Sequence, residues 1–299
     1  MVPVQQLTPL ETHQVNLSKW SFGLVTPSYV QDFERCQLLC KTRRKFWPES
    51  VKHYIIVDAR DVSLFRVLGD SSTEILAVED VLPWWIKRLP FFQQGWISFK
   101  GLPIRNWILQ QLVKLSIATF LEEDILGFVD SDVVFIRAFD PSGFVQEQRV
   151  RLYRNPGSIP GEWKNFSRWY QTTSRLLGIP PVVYPAPNFI GDLITWRRSL
   201  VLKLLDYLEM RFHRYWLETL ANTLHWSEYI LYGMFIEHVL KQEAGHYYDP
   251  VCPGLQYFST QPMSDFELKA FMDKVEPEQI MIMISAKAGI EPKRYEHLL

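Results

Sequence analysis

Short apolar runs alternate with helical patterns along the first half of this chain. Apolar residues spaced three or four apart predict helices from Ser28 to about Lys45 and from Ile104 to Phe120. Before, between and after these helices, the apolar runs are short enough to be strands. They span 20–26, 53–58, 74–78, 125–129 and 133–136. Strands that alternate with helices predict an α/β fold, in which a mainly parallel, Rossmann-like sheet is flanked by helices.

The second half of the chain is more helical and more aromatic. Its pattern predicts helices at 197–211 and 227–241, and a late strand at 279–285. Whether that strand returns to the same sheet is left open by the pattern. No internal repeat or low-complexity linker divides the sequence, so we predict one domain over residues 1–299.

Composition and charge narrow the classes of function. The 299 residues carry 32 basic and 33 acidic side chains, and without a basic excess we expect no nucleic-acid partner. Three cysteines do not make a disulfide framework, which favours buried thiols in a reducing compartment. Residues 1–11 contain no apolar signal core, and no apolar run reaches the roughly 20 residues that span a bilayer. We therefore expect a cytoplasmic protein without a transmembrane segment; contact with a membrane surface stays open.

Candidate chemistry is concentrated where the strand at 125–129 ends. The triplet Asp130-Ser131-Asp132 places two carboxylates between two apolar runs. A carboxylate at the edge of a core needs a cation, a cluster of donors or water. Hard cations such as Mn2+ or Mg2+ prefer oxygen ligands, and one or two carboxylates can hold them together with substrate phosphates. Asp130 and Asp132 are therefore candidate metal ligands, and a strand end capped by polar residues is the alternative.

Two further predicted strands end on polar residues. The first ends in Thr26-Pro27-Ser28-Tyr29, and the second ends on Asp58. Parallel strands present their carboxyl ends at one edge of a sheet, which is where ligands bind. We therefore expect these residues to lie near Asp130.

In order along the chain, these stretches resemble the GT-A nucleotide-sugar glycosyltransferases, in which an Asp-x-Asp triplet ends a central strand. More narrowly, the chain resembles a poorly characterised group of bacterial glycosyltransferase-like proteins. The resemblance is carried by residues 26–29 (TPSY), 32–35 (DFER), 107–114 (WILQQLVK), 128–135 (FVDSDVVF) and 225–229 (HWSEY). The resemblance implies a single GT-A-like domain in which residues 1–140 bind the nucleotide and residues 141–299 bind the acceptor.

The resemblance also implies roles for single residues. Thr26, Pro27 and Tyr29 would line the nucleoside pocket, and Asp58 would meet the base or the ribose. Asp130 and Asp132 would meet the ribose and the metal ion, with Ser131 between them in the same site.

Several lysine, amide and histidine side chains are weaker candidates. Gln111 and Lys114, which share a helix flank with Gln110, would suit the base or the phosphates, and a solvent-facing polar stripe explains them equally well. Lys287, just after the late strand, is a candidate to neutralise the leaving diphosphate, with a surface lysine as the alternative. A further metal ligand is sought among His225, His246 and Asp249, although a lone histidine is more often structural.

The aromatic residues Trp84, Trp85, Phe91, Phe92, Trp96 and Phe99 suggest mainly core packing, with sugar stacking or a membrane-interface role as alternatives.

Candidates for the acceptor side lie in the second half. Asn188 and Asp192 precede a predicted strand and are candidates to bind sugar hydroxyls, with Asp192 a candidate catalytic residue; a simple turn is the alternative. Glu228 follows Ser227, a predicted N-cap, so stabilisation by the helix dipole would explain it without function. We slightly favour Glu228 as the general base that deprotonates an acceptor hydroxyl in an inverting transfer.

These observations give one hypothesis and two rivals. The hypothesis is metal-assisted transfer of a sugar from a nucleoside-diphosphate donor, with UDP expected, to a hydroxyl of a small-molecule or glycan acceptor; retention stays open. A sugar-nucleotide nucleotidyltransferase would also use strand-end acids, but residues 26–29 lack the glycine-rich phosphate loop that is usual there. The other rival is a carbohydrate-binding relic of the fold that has no activity.

Overall fold

A computed structural model of the chain describes residues 20–89 and 95–299. Residues 1–11, which lack a signal core, and the aromatic residues Phe91 and Phe92 lie outside these ranges. The strands are β1 (Phe22–Pro27), β2 (Lys52–Val57), β3 (Thr73–Ala77), β4 (Ile86–Arg88), β5 (Trp96–Ser98), β6 (Ile125–Val129), β7 (Val133–Phe135), β8 (Val145–Gln146), β9 (Arg149–Tyr153), β10 (Asn155–Ile159), β11 (Ala186–Asn188), β12 (Leu193–Arg197), β13 (His246–Asp249), β14 (Gly254–Tyr257) and β15 (Met281–Ile284). The α-helices are α1 (Phe33–Phe46), α2 (Val62–Phe65), α3 (Val78–Val81), α4 (Asn106–Phe120), α5 (Lys164–Leu177), α6 (Arg198–Phe212), α7 (Trp216–Ala221), α8 (Glu228–Met234) and α9 (Asp265–Met272).

Five strands form the central sheet in the order β12-β6-β1-β2-β3. Strands β1, β2, β3 and β6 are parallel, and β12 closes one edge antiparallel to β6. The predicted α/β fold with a mostly parallel sheet is confirmed. The strand order reverses between β1 and β6, because β2 and β3 extend the sheet to one side and β6 to the other. Ligands bind such sheets in the crevice at the carboxyl ends of the strands, at the point of reversal.

Alternation along β2 explains how helices cover both faces of the sheet. Ile55 and Val57 pack with the two cysteines of α1. Ile56, which points to the other face, packs in the core that includes α4. Strand β6 is buried along its whole length, as its apolar sequence predicts. Its central residue is Gly127 because the ring of Phe22 covers it, and a Cβ there would lie 2.6 Å from that ring.

Most predicted elements are present within about two residues of their expected ends. The helix predicted from Ser28 begins later, because Tyr29 is extended and a 3-10 turn, Val30–Asp32, precedes α1. The helix predicted at 227–241 changes after α8 to a π-helix, Phe235–Leu240. No helix in the described parts of the chain is long and apolar enough to cross a bilayer.

The late strand does not return to the central sheet. Strand β15 pairs with β7 and β14 in a separate three-stranded sheet. The chain leaves the central sheet after the triplet, and the strand that follows, β7, pairs with β15 instead. The pattern also missed helices α5, α7 and α9, although Ser264 and Glu267 form the capping box that begins α9 and were readable in the sequence.

Candidate active site at the carboxyl edge of the sheet

Strand pairing brings three distant segments to the triplet. Leu193 of β12 pairs with Val129, so Asp192, the residue before β12, follows in register beside Asp130. Met283 of β15 pairs with Val133, which brings the turn after β15 to Asp132. The backbone N–H of Ala286 in that turn donates to Oδ2 of Asp132 at 3.1 Å. The carboxyl edge therefore combines residues from both halves of the chain.

Acidic side chains at this edge raise one another's pKa. Burial raises the pKa of Asp132 to about 7, and the neighbouring Asp130 adds to the rise. Burial also raises the pKa of Asp192 to about 7, opposed by Gln256, whose Nε2 donates to its Oδ2 at 2.7 Å, and reinforced by Asp132 and Asp130. Like charges held close together in a partly buried site favour protonation or a bound cation. The cluster therefore favours one of two states, a shared proton or a bound cation.

Asp32 is a fourth acid at this edge, and the sequence pattern gave it no role. The Ser131 hydroxyl donates to Oδ2 of Asp32 at 3.4 Å, and burial raises the Asp32 pKa. Arg35 partly opposes that rise, and its Nη2 donates to the Ile290 carbonyl at 2.8 Å. Both residues lie in the DFER stretch that contributed to the resemblance, but a single sequence does not show which members of that stretch turn towards the triplet.

A buried lysine reaches the triplet from the other side. Lys114 of α4 is only 6% exposed, and its Nζ lies 3.4 Å from Oδ1 of Asp130 and 3.3 Å from Oε1 of Glu228. The Tyr229 hydroxyl accepts a hydrogen bond from the same Nζ at 2.8 Å. Burial alone would lower the Lys114 pKa, but Asp130, Tyr229 and Glu228 together raise it well above its usual value. Lys114 is therefore a fixed cation and not part of a solvent-facing stripe.

Gln111, one turn earlier on α4, is also buried. Its Oε1 accepts a hydrogen bond from the Glu228 backbone N–H at 3.0 Å. Ser227 occupies the predicted N-cap position of α8, but its side chain makes no capping bond. The amide of Gln111 therefore caps this helix from another element, which a local sequence pattern cannot predict.

The candidate general base Glu228 is buried behind Lys114. It is 4% exposed, and its carboxylate faces the Lys114 ammonium and the Ser227 hydroxyl. Its observed contacts compensate the charge of Lys114. Asp192, by contrast, lies directly beside the triplet with a pKa of about 7.

Residues predicted to line the nucleoside pocket divide into two groups. Pro27, Tyr29 and Asp58 line a cleft of about 250 Å³. Tyr29 and Asp58 also line a second cavity of about 360 Å³ that shares Arg88 and Asn106 with the first. The Asp58 carboxylate pairs with Arg88 and, at 3.3 Å, with Arg60. A base or ribose bound there would therefore meet an Asp58 carboxylate that already forms ion pairs with Arg88 and Arg60.

Thr26 does not line the cleft. It is fully buried, and its hydroxyl lies 2.9 Å from Nε2 of His53 on the neighbouring strand. Thr26 thus lies behind the cleft wall, because alternation along β1 turns its side chain to the face of the sheet that α1 covers.

Of the remaining candidates, Lys287 is exposed and the other three are held by neighbouring groups. Lys287 is exposed in the turn that contacts Asp132. The Asn188 amide closes its own turn by bonding the backbone N–H and carbonyl of Ile190. The ring nitrogens of His246 face the Tyr232 hydroxyl and the Val150 carbonyl, and Asp249 pairs with Arg151 at 2.6 Å. Asn188, His246 and Asp249 therefore have structural partners.

Comparison with known proteins places the chain in a family. A model of a family of unknown function, DUF6492, matches residues 20–268. The chain belongs to the DUF6492 family. No curated protein matches it. The part of this DUF6492 chain that matches includes Lys114, the triplet, Asp192 and Glu228, whereas Ala286 and Lys287 lie beyond it.

The side chains available at this site of the DUF6492 protein decide whether it could hold the predicted metal ion. Within residues 20–89 and 95–299, no group of three or more His, Cys, Asp or Glu side chains is arranged to hold a metal ion alone. Asp130, with 65% of its side chain exposed, and Asp132, with its raised pKa, supply two carboxylates. Mg2+ is commonly held by one or two carboxylates, with water and substrate phosphates as the other ligands. The residues present fit a cation held in that shared way.

Proposed function

We propose that this DUF6492 protein transfers a sugar from a nucleoside-diphosphate donor, expected to be a UDP-sugar, to an acceptor hydroxyl with the aid of Mn2+ or Mg2+. The supporting observation is the group of Asp130, Asp132 and Asp192 at the point of strand reversal, where two carboxyl groups have a pKa of about 7. Two cavities, of about 250 and 360 Å³, share lining residues at the same edge, and the larger has the volume of a small-ligand pocket.

Asp130 and Asp132 are the residues that would hold the cation. Each already has one protein contact, since Lys114 lies 3.4 Å from Asp130 and the Ala286 N–H bonds Asp132. Preorganised groups of this kind avoid reorganisation during the reaction. The bound cation would supply Lewis-acid stabilisation of the charge that develops on the leaving diphosphate.

The nucleoside would occupy the cleft between the β1 end and the first turns of α4. Tyr29 offers an aromatic face there, and Asn106 and Gln110 offer amide donors and acceptors. Arg88, paired with Asp58, adds a guanidinium to the same wall. This mixture of one aromatic face with a few convergent polar groups suits a base and a ribose.

Asp192 is the better placed of the two candidate bases. A general base works best when its pKa lies near the working pH, and the Asp192 pKa is about 7. In an inverting transfer, the acceptor oxygen bonds the anomeric carbon while the bond to the diphosphate oxygen breaks, and the hydroxyl proton passes to the Asp192 carboxylate. Glu228 then has a positioning role, because its charge holds Lys114 against Asp130.

Calorimetric titration of UDP in the presence of Mn2+ tests the donor site. We expect Asp132→Asn to weaken binding at least tenfold. Glu123→Gln, at the opposite edge of the sheet, should bind as the wild type does. Equal affinity in wild type and Asp132→Asn would remove the metal role from the triplet.

Product analysis separates the proposed reaction from its rivals. With UDP-glucose, UDP-galactose and UDP-N-acetylglucosamine as probes, a transferase should slowly release UDP by hydrolysis without an acceptor. Asp192→Asn should slow that release while leaving UDP affinity within about twofold. Release of pyrophosphate from UTP and a sugar 1-phosphate would instead identify a nucleotidyltransferase, and no turnover with any probe would favour a binding protein.

A further inference from the structure

An aromatic row lies on the surface beside the nucleoside cleft. We define it as Trp107, Trp169, Phe166 and Trp163. The Trp107 and Trp169 rings stack at 5.1 Å between centroids with 24° between planes. Phe166 lies 4.9 Å from Trp169, and Trp163 lies 5.5 Å from Phe166. Each ring therefore contacts the next, and the four form one continuous surface.

Core packing does not account for the whole row. Phe166 and Trp169 are partly buried against the main core. Trp107 and Trp163, at the two ends, are 43% and 49% exposed. Phe166 and Trp169 lie three residues apart on one face of α5, and Trp163 is the residue that precedes the helix. The inner rings fix the row to the protein, and the outer rings leave aromatic faces open to a ligand.

The row begins at the proposed donor site. Trp107 lines the nucleoside cleft together with Asn106 and Gln110. On the same helix, the Trp107 carbonyl accepts a hydrogen bond from Gln111, which lies one turn before Lys114. Lys114 in turn lies against Asp130. From Trp107 to Lys114 is seven residues, or about 10 Å along the helix axis. The cleft end of the row is therefore on the same helix as the lysine that contacts Asp130, about two turns away from it.

We propose that the aromatic row binds a saccharide chain, so that the acceptor of the proposed transferase is a glycan. This inference extends the proposed function by naming its acceptor class. Sugar rings present apolar C–H faces that pack on aromatic rings, and a rim of hydroxyls that needs both donors and acceptors. The exposed outer rings of the row supply the faces, and the hydroxyl rim of a sugar lying on them stays in contact with water.

Binding of maltotetraose, cellotetraose and chitotetraose to the full-length protein tests the proposal by calorimetry and tryptophan fluorescence. At least one should bind saturably. Trp163→Ala should weaken that binding at least tenfold, and Trp163→Phe should weaken it less because one aromatic face remains. Trp84→Ala is the matched control, since Trp84 is 72% exposed and lies outside the row, and it should bind as the wild type does.

Two results would overturn the saccharide site. One is no saturable binding of any of the three tetrasaccharides at millimolar concentration. The other is an equal effect of Trp163→Ala and Trp84→Ala, with both variants folded by circular dichroism. Titration of UDP with Mn2+ on the same samples keeps the two proposals apart. A wild-type protein that binds UDP but none of the tetrasaccharides would contradict the glycan site alone, and one that binds a tetrasaccharide but not UDP would contradict the donor site alone.

Discussion

The two ends of the parallel strands carry cavities of similar size and different chemistry. At the amino end, a cavity of about 360 Å³ is lined by Trp20, Lys52 and Glu123 among others. The Glu123 carboxylate accepts a hydrogen bond from the Tyr54 hydroxyl at 2.5 Å, and the adjacent Asp124 accepts two from Ser21 at 2.9 Å. These acids are held singly by neutral donors.

At the carboxyl end, acids lie beside acids. Asp132 and Asp192 both have a pKa raised to about 7 by burial and by their acidic neighbours. Lys114, a buried cation at this end, is shared between Asp130 and Glu228. Cavity volume alone does not separate the two ends. The grouping of carboxyl groups does, because such a group is costly unless a ligand completes it.

The largest expected effect comes from removing the buried cation. Lys114→Met should lower the free energy of unfolding by about 3 to 5 kcal/mol, because Glu228 would stay buried without its partner. Lys52→Met at the amino-end cavity should change it by no more than about 0.5 kcal/mol, since Lys52 is exposed. Urea unfolding measures both. The double variant Lys114→Met/Glu228→Gln should lose less than the sum of the single losses, and strict additivity would argue against the pairing.

The pH dependence of stability sharpens the comparison next. The Asp192 pKa is about 7 in the folded chain, against roughly 4 in the unfolded chain, so the folded state binds more protons between these values. Stability from this group is therefore greatest below pH 4 and falls as pH rises to about 7. From pH 5.5 to 8 in a chelating buffer, wild type should lose about 2 kcal/mol more than Asp192→Asn.

Comparing these two proteins cancels the opposite contribution of His246. Burial lowers the His246 pKa to about 4, so that group destabilises the folded state as the pH falls below about 6.5. Parallel pH profiles for wild type and Asp192→Asn would show that the Asp192 carboxyl has an ordinary pKa.

A smaller effect is expected from the cap of α8. Gln111→Leu should cost about 1 to 3 kcal/mol, because the Glu228 N–H would be left buried without an acceptor. Ser227→Ala should cost less, since the Ser227 side chain makes no capping bond. Thermal and urea unfolding of both variants test the assignment. A greater loss in Ser227→Ala would return the capping role to the serine.

The smallest effect is expected at the amino end. Tyr54→Phe removes the hydrogen bond to Glu123 and should cost about 1 kcal/mol. UDP affinity in the presence of Mn2+ should not change, because the bond lies at the far edge of the sheet. A substantial loss of UDP binding would mean that the two ends are energetically coupled.

Local patterns predicted the elements and the position of the acids. The unbroken apolar run at Ile125–Val129 determined a strand buried on both faces, and it put Asp130 directly at its end. The same reasoning put Pro27 and Asp58 at the ends of neighbouring strands, and both line the cleft. The resemblance had implied that Thr26 lines the cleft as well, but its side chain is buried on the opposite face from that of Pro27, because one step along a strand reverses the face.

Partners from distant segments could not be predicted in this way. Gln111 and Lys114 read equally well as a solvent-facing stripe, and only the packing of α8 on α4 buries them beside Glu228. Asp192 reaches the triplet through the register of β12 on β6, and Ala286 does so through β15 on β7. The spacing of apolar residues depends on the period of one helix or strand, so the sequence by itself determined those elements and the acids at their ends. Which side chains meet, and with what pKa, was decided by the tertiary structure, because long-range register and burial set distances and desolvation that no local period contains.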